Sequence, residues 1–238
     1  MARLGRYFVP GQPQYVIQCG NDSKAVFFAD GDYAQYRAWL IDAAQANGLK
    51  VHAYVLMPNH VHLLATPDDE KSLPRTMQSL GRRYVRHINT RLHRTGTLWE
   101  GRYRAAPIDG DAYLISCCRY IELDPVRAHI ADHARQYPWS SYRAHAEGKE
   151  DPLAAFHDVF RRLGRTVEAR RHAYRALFQA KLDPAFVQAL RTATHGGWAL
   201  GDARFRKEIE KAADRRVAPL PRGPRAASVR NKKPLSLL

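Results

Sequence analysis

Segment 56–64, Leu-Met-Pro-Asn-His-Val-His-Leu-Leu, contains two histidines separated by a single valine, His60 and His62. Side chains on a β-strand alternate between the two faces of a sheet, so both imidazoles project from one face. Val61 and Leu63 would then point away from them, into a core. Because imidazole is the commonest side-chain metal ligand, a shared metal ion is one interpretation of this spacing. Two partly exposed strand histidines, or a zinc site with further ligands, stay open.

A tyrosine and a carboxylate lie four residues apart downstream, as Tyr120 and Asp124. On a helix this spacing places them on the same face. Cleavage of a phosphodiester requires a nucleophile in line with the leaving oxygen and a positive centre beside the phosphate. Tyrosine is a weak nucleophile at its ordinary pKa of about 10, so it needs a base or a polarised phosphate. Tyr120 beside a metal held by His60, His62 and Asp124 therefore predicts cleavage of a phosphodiester.

The ligand types narrow the choice of metal. Two imidazole nitrogens and one carboxylate oxygen, with open positions, suit Mg²⁺ or Mn²⁺ bridging to phosphate, and Mn²⁺ tolerates imidazole better. Asp124 also has a structural interpretation, because Asp followed by Pro125 fits a helix N-cap with proline at the first helical position. Tyr120 is one of twelve tyrosines, most of which must be packing residues. From the residues alone, these alternatives stay open.

The charge balance indicates a polyanionic partner. The chain of 238 residues has 38 Lys and Arg against 23 Asp and Glu, a net charge of +15. Neutralising phosphates with such residues releases condensed counterions, which favours binding to nucleic acid. The residues predicted to contact DNA are Arg75, Arg82, Arg83, Arg86, Arg91, Arg94, Arg102 and Arg104. No acidic residue lies between positions 73 and 95. A run of basic residues on a helix is, however, commonly a face exposed to solvent.

Two aromatic residues near this helix have two interpretations. Trp99 and Tyr103 either stack on unpaired bases or pack in a core.

The cysteines and the hydropathy pattern predict a cytoplasmic location. Cys19, Cys117 and Cys118 form an odd set with an adjacent pair, which fits neither a disulfide framework nor a Cys-x-x-Cys zinc motif. We expect them to be small core residues in a reducing compartment. The N-terminus has no apolar signal region, and no stretch approaches the ~18 apolar residues of a membrane span. These features predict a protein of the bacterial cytoplasm or nucleoid, with no membrane partner.

The order of predicted elements defines the fold class. Strand patterns occur at 15–19, 51–56, 60–64 and 102–108, and helical patterns at 32–46 and 72–93. The order βαββαβ predicts an α+β, ferredoxin-like domain with an antiparallel sheet and helices on one face. We predict three regions: a catalytic domain at 1–145, a smaller helical region at 146–217, and a disordered basic tail at 218–238. The tail contains four prolines, five Arg or Lys residues and no acidic residue.

Four ordered motifs give a family resemblance. They are Tyr-Val-Leu-Met-Pro-Asn-His-Val-His-Leu-Leu at 54–64, Leu-Trp-Glu-Gly-Arg-Tyr at 98–103, Arg-Tyr-Ile-Glu-Leu-Asp-Pro-Val-Arg-Ala at 119–128 and Trp-Ser-Ser-Tyr at 139–142. Over about residues 3–145 the chain resembles the single-tyrosine HUH transposases, and among them the REP-associated tyrosine transposases. The resemblance implies that the predicted domain at 1–145 is an HUH catalytic domain.

The resemblance also implies roles for individual residues. In that family the two histidines bind a divalent metal, the tyrosine forms a 5′-phosphotyrosyl link with single-stranded DNA, and a polar residue four positions later is the third ligand. These roles fall on His60, His62, Tyr120 and Asp124. This chain departs from the family at two places. The family commonly has Asn where this chain has Asp124. Near the first strand the family often has His-Val and then Arg-Gly, whereas this chain has Tyr-Val at 15–16 and Cys-Gly at 19–20.

The expected function is DNA transposition: metal-dependent cleavage and strand transfer of single-stranded DNA that carries hairpins. No nucleotide cofactor is expected, because the covalent link conserves the phosphodiester energy. Either a monomer or a homodimer is compatible with the sequence. Two alternatives remain, a domesticated sequence-specific DNA-binding regulator that no longer cleaves, and an RNA-binding protein, since ferredoxin-like sheets also bind RNA.

Overall fold

Four strands form an antiparallel sheet within residues 7–219, the part of the chain that the computed structural model describes. They are β1 Gln14–Cys19, β2 Leu49–Met57, β3 His60–Pro67 and β4 Arg104–Pro107, in the spatial order β2-β3-β1-β4. Helix α1, Asp30–Ala46, connects β1 to β2, and α2, Ser72–Arg91, connects β3 to β4. The predicted α+β fold with a βαββαβ order is therefore confirmed. Apart from positions 218 and 219, the predicted tail lies outside the described residues.

Helices cover both faces of the sheet, so the expectation of a single covered face was wrong. Val61 and Leu63 of β3 pack with α1 and α2 on one face. Leu64 packs on the other face, with residues of α3 and of the helices that follow it. Strand β2 is buried at every position but one, the pattern of a strand covered on both sides. A strand with one face in water would alternate apolar and polar residues along its whole length, whereas residues 53–57 of β2 are all apolar or aromatic.

The remaining helices follow β4, and most of them pack on the face of the sheet opposite to α1 and α2. They are α3 Gly110–Glu122, α4 Asp124–Arg127, α5 Tyr142–Glu147, α6 Asp158–Arg161, α7 Val167–Leu177, α8 Pro184–Gly196 and α9 Ala203–Ala213. Asp109 caps α3 by accepting a hydrogen bond from the Ala112 amide at 3.3 Å. Tyr174 and Leu190 share a core with Tyr15 of the sheet. The helical region therefore packs on the sheet, while the boundary at 145 stays a prediction.

Later segments pair with both outer strands of the sheet. Beside β2, the Ala155 amide donates to the Val51 carbonyl at 2.7 Å, and the Ser141 amide donates to the Tyr54 carbonyl at 3.0 Å. Beside β4, the Leu200 amide donates to the Pro107 carbonyl at 2.8 Å. The chain after α3 thus satisfies outward-facing backbone groups of both strands. No helix within residues 7–219 is long and apolar enough to cross a membrane.

A buried carboxylate joins α3 to the later helices. Glu122, at the end of α3, has no exposed surface. Its Oε1 accepts from the Ser141 hydroxyl at 2.6 Å and lies 2.8 Å from His145 Nδ1, and its Oε2 accepts from the Tyr174 hydroxyl at 2.7 Å. Each partner lies in or next to α5 or α7. A buried carboxylate is tolerated only with such a set of donors, so this network fixes the end of α3.

A buried histidine on β2 is held in its neutral form. His52 is 4% exposed, and its two ring nitrogens lie 2.7 Å from the Ala155 carbonyl and 2.8 Å from the Thr66 hydroxyl. Burial lowers the pKa of His52 to about 4. The pKa of a histidine in an unfolded chain is about 6.5, so between pH 4 and pH 6.5 the unfolded chain binds more protons than the folded protein. The contribution of His52 to stability is therefore complete above about pH 6.5 and is lost as the pH falls towards 4.

We predict that His52→Gln makes the free energy of unfolding less dependent on pH. Glutamine keeps a donor and an acceptor but does not titrate, so between about pH 7.5 and about pH 4.5 the variant should lose up to about 3 kcal/mol less than the parent. Urea unfolding at both pH values measures this difference. His172→Gln, at an exposed histidine of α7, is the matched control and should behave as the parent. Equal pH dependence in His52→Gln and the parent would contradict the prediction.

Candidate active site

Two histidines and one carboxylate meet on the sheet face that α3 covers. His60 and His62 project from β3, and Asp124 is the first residue of α4. The Asp124 Oδ2 atom lies 2.7 Å from His60 Nε2 and 3.4 Å from His62 Nε2. One ligand atom from each residue lies within 4.8 Å of the others, the one group of this kind within residues 7–219. These three residues could hold a metal ion.

The Nδ1 atom of each imidazole, the ring nitrogen that faces away from Asp124, contacts a neighbouring side chain. His60 Nδ1 lies 2.7 Å from the Asn59 side-chain oxygen, and His62 Nδ1 lies 2.7 Å from the Tyr15 hydroxyl. Metal-binding histidines commonly engage their second nitrogen in this way, which orients the ligating nitrogen. Burial lowers the pKa of His62, although the hydrogen bond and charge of Asp124 act in the opposite direction. The neutral form, which a metal ligand requires, is thereby favoured.

The contact between His60 and Asp124 tests whether a cation fits. A neutral His60 that donates from Nδ1 to the Asn59 oxygen has an unprotonated Nε2. That nitrogen faces a carboxylate oxygen at 2.7 Å, so two acceptors point at each other. A shared proton or a metal ion between them removes the repulsion. The donor set therefore fits a divalent cation with nitrogen and oxygen ligands.

Asp124 directs its carboxylate to the site rather than to a helix end. Helix α4 has Pro125 in its first turn, as the sequence indicates, but it has no side-chain cap. Among the described residues, the carboxylate contacts His60, His62 and the Arg127 guanidinium, and it accepts no backbone N–H. Burial would raise the pKa of Asp124, but the hydrogen bonds of the histidines and the charge of Arg127 outweigh it and hold the pKa below its usual range. The carboxylate is thus ionised at neutral pH.

Tyr120 approaches the histidines from α3. Its side chain is buried, and its ring centroid lies 6.0 Å from that of His62. The Arg127 guanidinium lies over the Tyr120 ring at 4.0 Å, and Arg127 Nη1 donates to the Tyr120 carbonyl at 2.6 Å. Tyr113, seven residues earlier on α3, instead stacks on Phe186. The structure therefore brings Tyr120, and not Tyr113, to the candidate metal ligands.

These side chains line an open pocket of about 400 Å³. Strands β1 and β4 contribute Tyr15 and Arg104, and helix α8 contributes Leu190, Arg191, Thr194 and His195. Sequence reasoning missed the α8 residues. The segment has a helical pattern and an Asp-Pro start, but nothing in its local sequence connects it to a strand more than a hundred residues earlier.

The predicted DNA-contacting arginines are divided between two faces of the molecule. Arg104 lines the pocket, and Arg102 is exposed at a small neighbouring depression. Helix α2 packs on the sheet face opposite to His60 and His62. The predicted residues on α2 or just after it are Arg75, Arg82, Arg83, Arg86, Arg91 and Arg94. They do not line the pocket, and Arg91 pairs with buried Asp32 at 2.6 Å. Their role in DNA binding stays a prediction.

The two aromatic residues that could stack on bases are core residues instead. Trp99 and Tyr103 are both buried and pack with α1 and α2. Their rings are therefore not available to an unpaired strand in this conformation.

Comparisons with known proteins agree with this geometry. Residues 14–124 match the family described as "Transposase IS200 like". No curated protein matches the chain. Among solved structures, it is similar to a REP-associated tyrosine transposase bound to a REP hairpin, with 18% identity and a TM-score of 0.53 over 66% of this chain and 93% of that one. At this identity, the likeness shows the fold.

A candidate transposase from Deinococcus radiodurans R1 is 21% identical over 57% of this chain and 97% of that one, with a TM-score of 0.36. The family match begins at β1 and ends at Asp124, so it includes both histidines, the tyrosine and the carboxylate. Residues 14–124 of this chain, a little under half of its length, are therefore similar to the IS200-like transposases.

Proposed function

We propose that the protein is a metal-dependent nuclease and strand transferase for single-stranded DNA, with Tyr120 as its nucleophile. The observation that carries this proposal is the convergence of Tyr120 with His60, His62 and Asp124 in one open pocket. The net charge of +15 supports a nucleic-acid substrate. The REP-associated tyrosine transposase of similar fold, solved with a REP hairpin, supports hairpin-containing repeat DNA as the substrate class.

His60, His62 and Asp124 would hold the metal, with Mg²⁺ or Mn²⁺ as the proposed ion. Mn²⁺ accepts two imidazole ligands more readily than Mg²⁺ does. When bound, the ion would polarise the scissile phosphate and stabilise the charge that develops on it. Asn59 and Tyr15 orient the two imidazoles through hydrogen bonds with the Nδ1 atoms of His60 and His62.

Tyr120 performs the covalent chemistry in this proposal. Its hydroxyl oxygen forms a bond to phosphorus, the bond from phosphorus to the 3′-oxygen breaks, the tyrosine proton passes to solvent, and the leaving oxygen takes up a proton. The 5′-phosphotyrosine is later attacked by that or another 3′-hydroxyl, which releases Tyr120. One phosphodiester is exchanged for another, so no nucleotide cofactor is required. Arg127 holds the ring in position by covering one face of it.

The other regions support this chemistry. We place the catalytic domain at 1–145, the helical region at 146–217 beside it, and DNA backbone contacts on the α2 arginines and on Arg102 and Arg104. The α2 arginines lie across the sheet from the pocket, so they would contact DNA away from the cleaved phosphate. Such a substrate would be met in the bacterial cytoplasm or nucleoid. The presence of Tyr120 and both histidines favours a cleaving enzyme over a regulator that only binds.

We predict that His60→Ala and His62→Ala each weaken Mn²⁺ binding. Removal of a residue that hydrogen-bonds to a metal ligand commonly lowers the metal affinity tenfold or more. Removal of a ligand itself should therefore lower the Mn²⁺ affinity by at least about tenfold. Calorimetric titration with Mn²⁺ measures it, and circular dichroism checks the fold. His172→Ala, at an exposed histidine, serves as the matched control. Parental Mn²⁺ affinity in both site variants would place the ligands elsewhere.

Asp124 variants separate the ligand role from a role in local structure. Asp124→Asn keeps an oxygen that can reach the metal and should stay active with a changed preference between Mg²⁺ and Mn²⁺. Asp124→Ser has a shorter side chain that cannot reach, so its Mn²⁺ affinity should fall by about tenfold or more. Titration of both variants with the two ions tests this expectation. Unchanged metal affinity in Asp124→Ser would remove Asp124 from the ligand set.

We predict that Tyr120→Phe abolishes DNA cleavage and the covalent DNA adduct. Phenylalanine keeps the ring under Arg127 but lacks the attacking oxygen, while hairpin affinity should stay near the parental value. The test incubates hairpin oligonucleotides from genomic repeats of the source organism with protein and Mn²⁺, and then separates the products on a denaturing gel. Tyr113→Phe is the matched control and should still form the adduct. An adduct that persists in Tyr120→Phe and disappears in Tyr113→Phe would reverse the assignment.

A further inference from the structure

Helix α8 presents polar side chains at the mouth of the pocket, although it lies outside residues 14–124. Arg191 and His195 are exposed on this helix and line the pocket together with Arg104 of β4. We propose that Arg191, with Arg104 and His195, binds a DNA phosphate beside Tyr120, so that α8 completes the active site. The identity of the ligand as DNA rests on the function proposed above.

Arg191 is placed to contact both the nucleophile and its target. Its Nε donates to the Tyr120 hydroxyl at 3.4 Å, and within residues 7–219 its guanidinium forms no ion pair. Arg127 differs from it, because the guanidinium of Arg127 is engaged by Asp124 and by the Tyr120 carbonyl. An arginine has five donors in a planar fork that matches two phosphate oxygens. Arg191 therefore has donors left for a phosphate that lies against the tyrosine oxygen.

Arg104 and His195 form the second part of the phosphate site. Arg104 Nη1 lies 2.9 Å from His195 Nδ1, and Arg104 Nη2 lies 3.5 Å from a Glu100 carboxylate oxygen that is itself largely in solvent. Because arginine only donates, His195 Nδ1 is the acceptor, and the neutral ring carries its proton on Nε2. This contact links α8 to β4. The Nε2–H group of His195 is then one more hydrogen-bond donor at the pocket wall.

The charge of the pocket selects an anion. Its lining contains two arginines, Arg104 and Arg191, and a single carboxylate, that of Asp124. That carboxylate is already engaged by Arg127 and by the histidines. Arg191 thus has no carboxylate partner in the lining, and Arg104 has only the contact with Glu100, which lies outside the lining. A phosphodiester supplies the missing charge and accepts hydrogen bonds from both guanidinium groups.

The test compares Arg191→Gln with Arg191→Lys and with Arg204→Gln, all carrying Tyr120→Phe to prevent chemistry. Arg204 lies on α9, away from this pocket, so its variant removes the same charge from another surface. The probe is a fluorescein-labelled single-stranded oligodeoxynucleotide of mixed sequence, and anisotropy is followed over a range of KCl concentrations with EDTA present. Arg191→Gln should bind about tenfold more weakly. Its log–log salt slope should be smaller by about 0.7, the value for one phosphate contact.

Arg191→Lys should keep the salt slope, and Arg204→Gln should match the Tyr120→Phe protein. Unchanged affinity and slope in Arg191→Gln, or an equal loss in Arg204→Gln, would overturn the inference. Circular dichroism confirms folding, and Arg191→Met repeats the test with an apolar side chain if the Gln variant does not fold. Adduct formation with intact Tyr120 is measured in parallel. If Arg191→Gln binds DNA more weakly but the protein with intact Tyr120 forms no covalent adduct, the proposed cleavage is refuted and the phosphate site is upheld.

Discussion

A carboxylate without exposed surface holds the helix that carries the candidate nucleophile. Glu122 is satisfied by three side chains, those of Ser141, His145 and Tyr174, and an uncompensated charge at that depth would cost several kcal/mol. Tyr120 lies two residues before Glu122 and Asp124 two residues after it, so both depend on the same anchor. Helices α5 and α7 therefore help to position the pocket although none of their residues lines it.

Most side chains of the pocket project from strands and helices, while Asn59 lies in the turn between β2 and β3. The alternation of β3 presents His60 and His62 to one face while Val61 and Leu63 pack on the other. On the opposite wall, Arg127 binds the Asp124 carboxylate and also covers the Tyr120 ring, so the candidate ligand and nucleophile share one support. Positions fixed in this way need little rearrangement when a substrate binds, which is what efficient phosphoryl transfer requires.

The local sequence was sufficient for features that depend on short spacing. The shared face of His60 and His62 and the order of the first six elements follow from periodicity. The expectation that Tyr120 and Asp124 lie on one helix was wrong, because α3 ends at Glu122 and Asp124 begins α4. Features that depend on distant packing could not be predicted. Arg191 reaches the pocket because Phe186, Leu190 and Ala193 of α8 pack in the core on that face of the sheet. Nor could the sequence of α2 reveal that Arg91 pairs with Asp32, a residue of another helix.

The pairing of later segments with β2 and β4 has a consequence for association between molecules. An unprotected edge strand is a template on which a second chain can add its own strand, and it promotes aggregation. Here the segment around Ser141 and Ala155 occupies one edge, and Leu200 occupies part of the other, which is only four residues long. Within residues 7–219, these segments obstruct the addition of a strand from a second copy along part of β2 and at the end of β4.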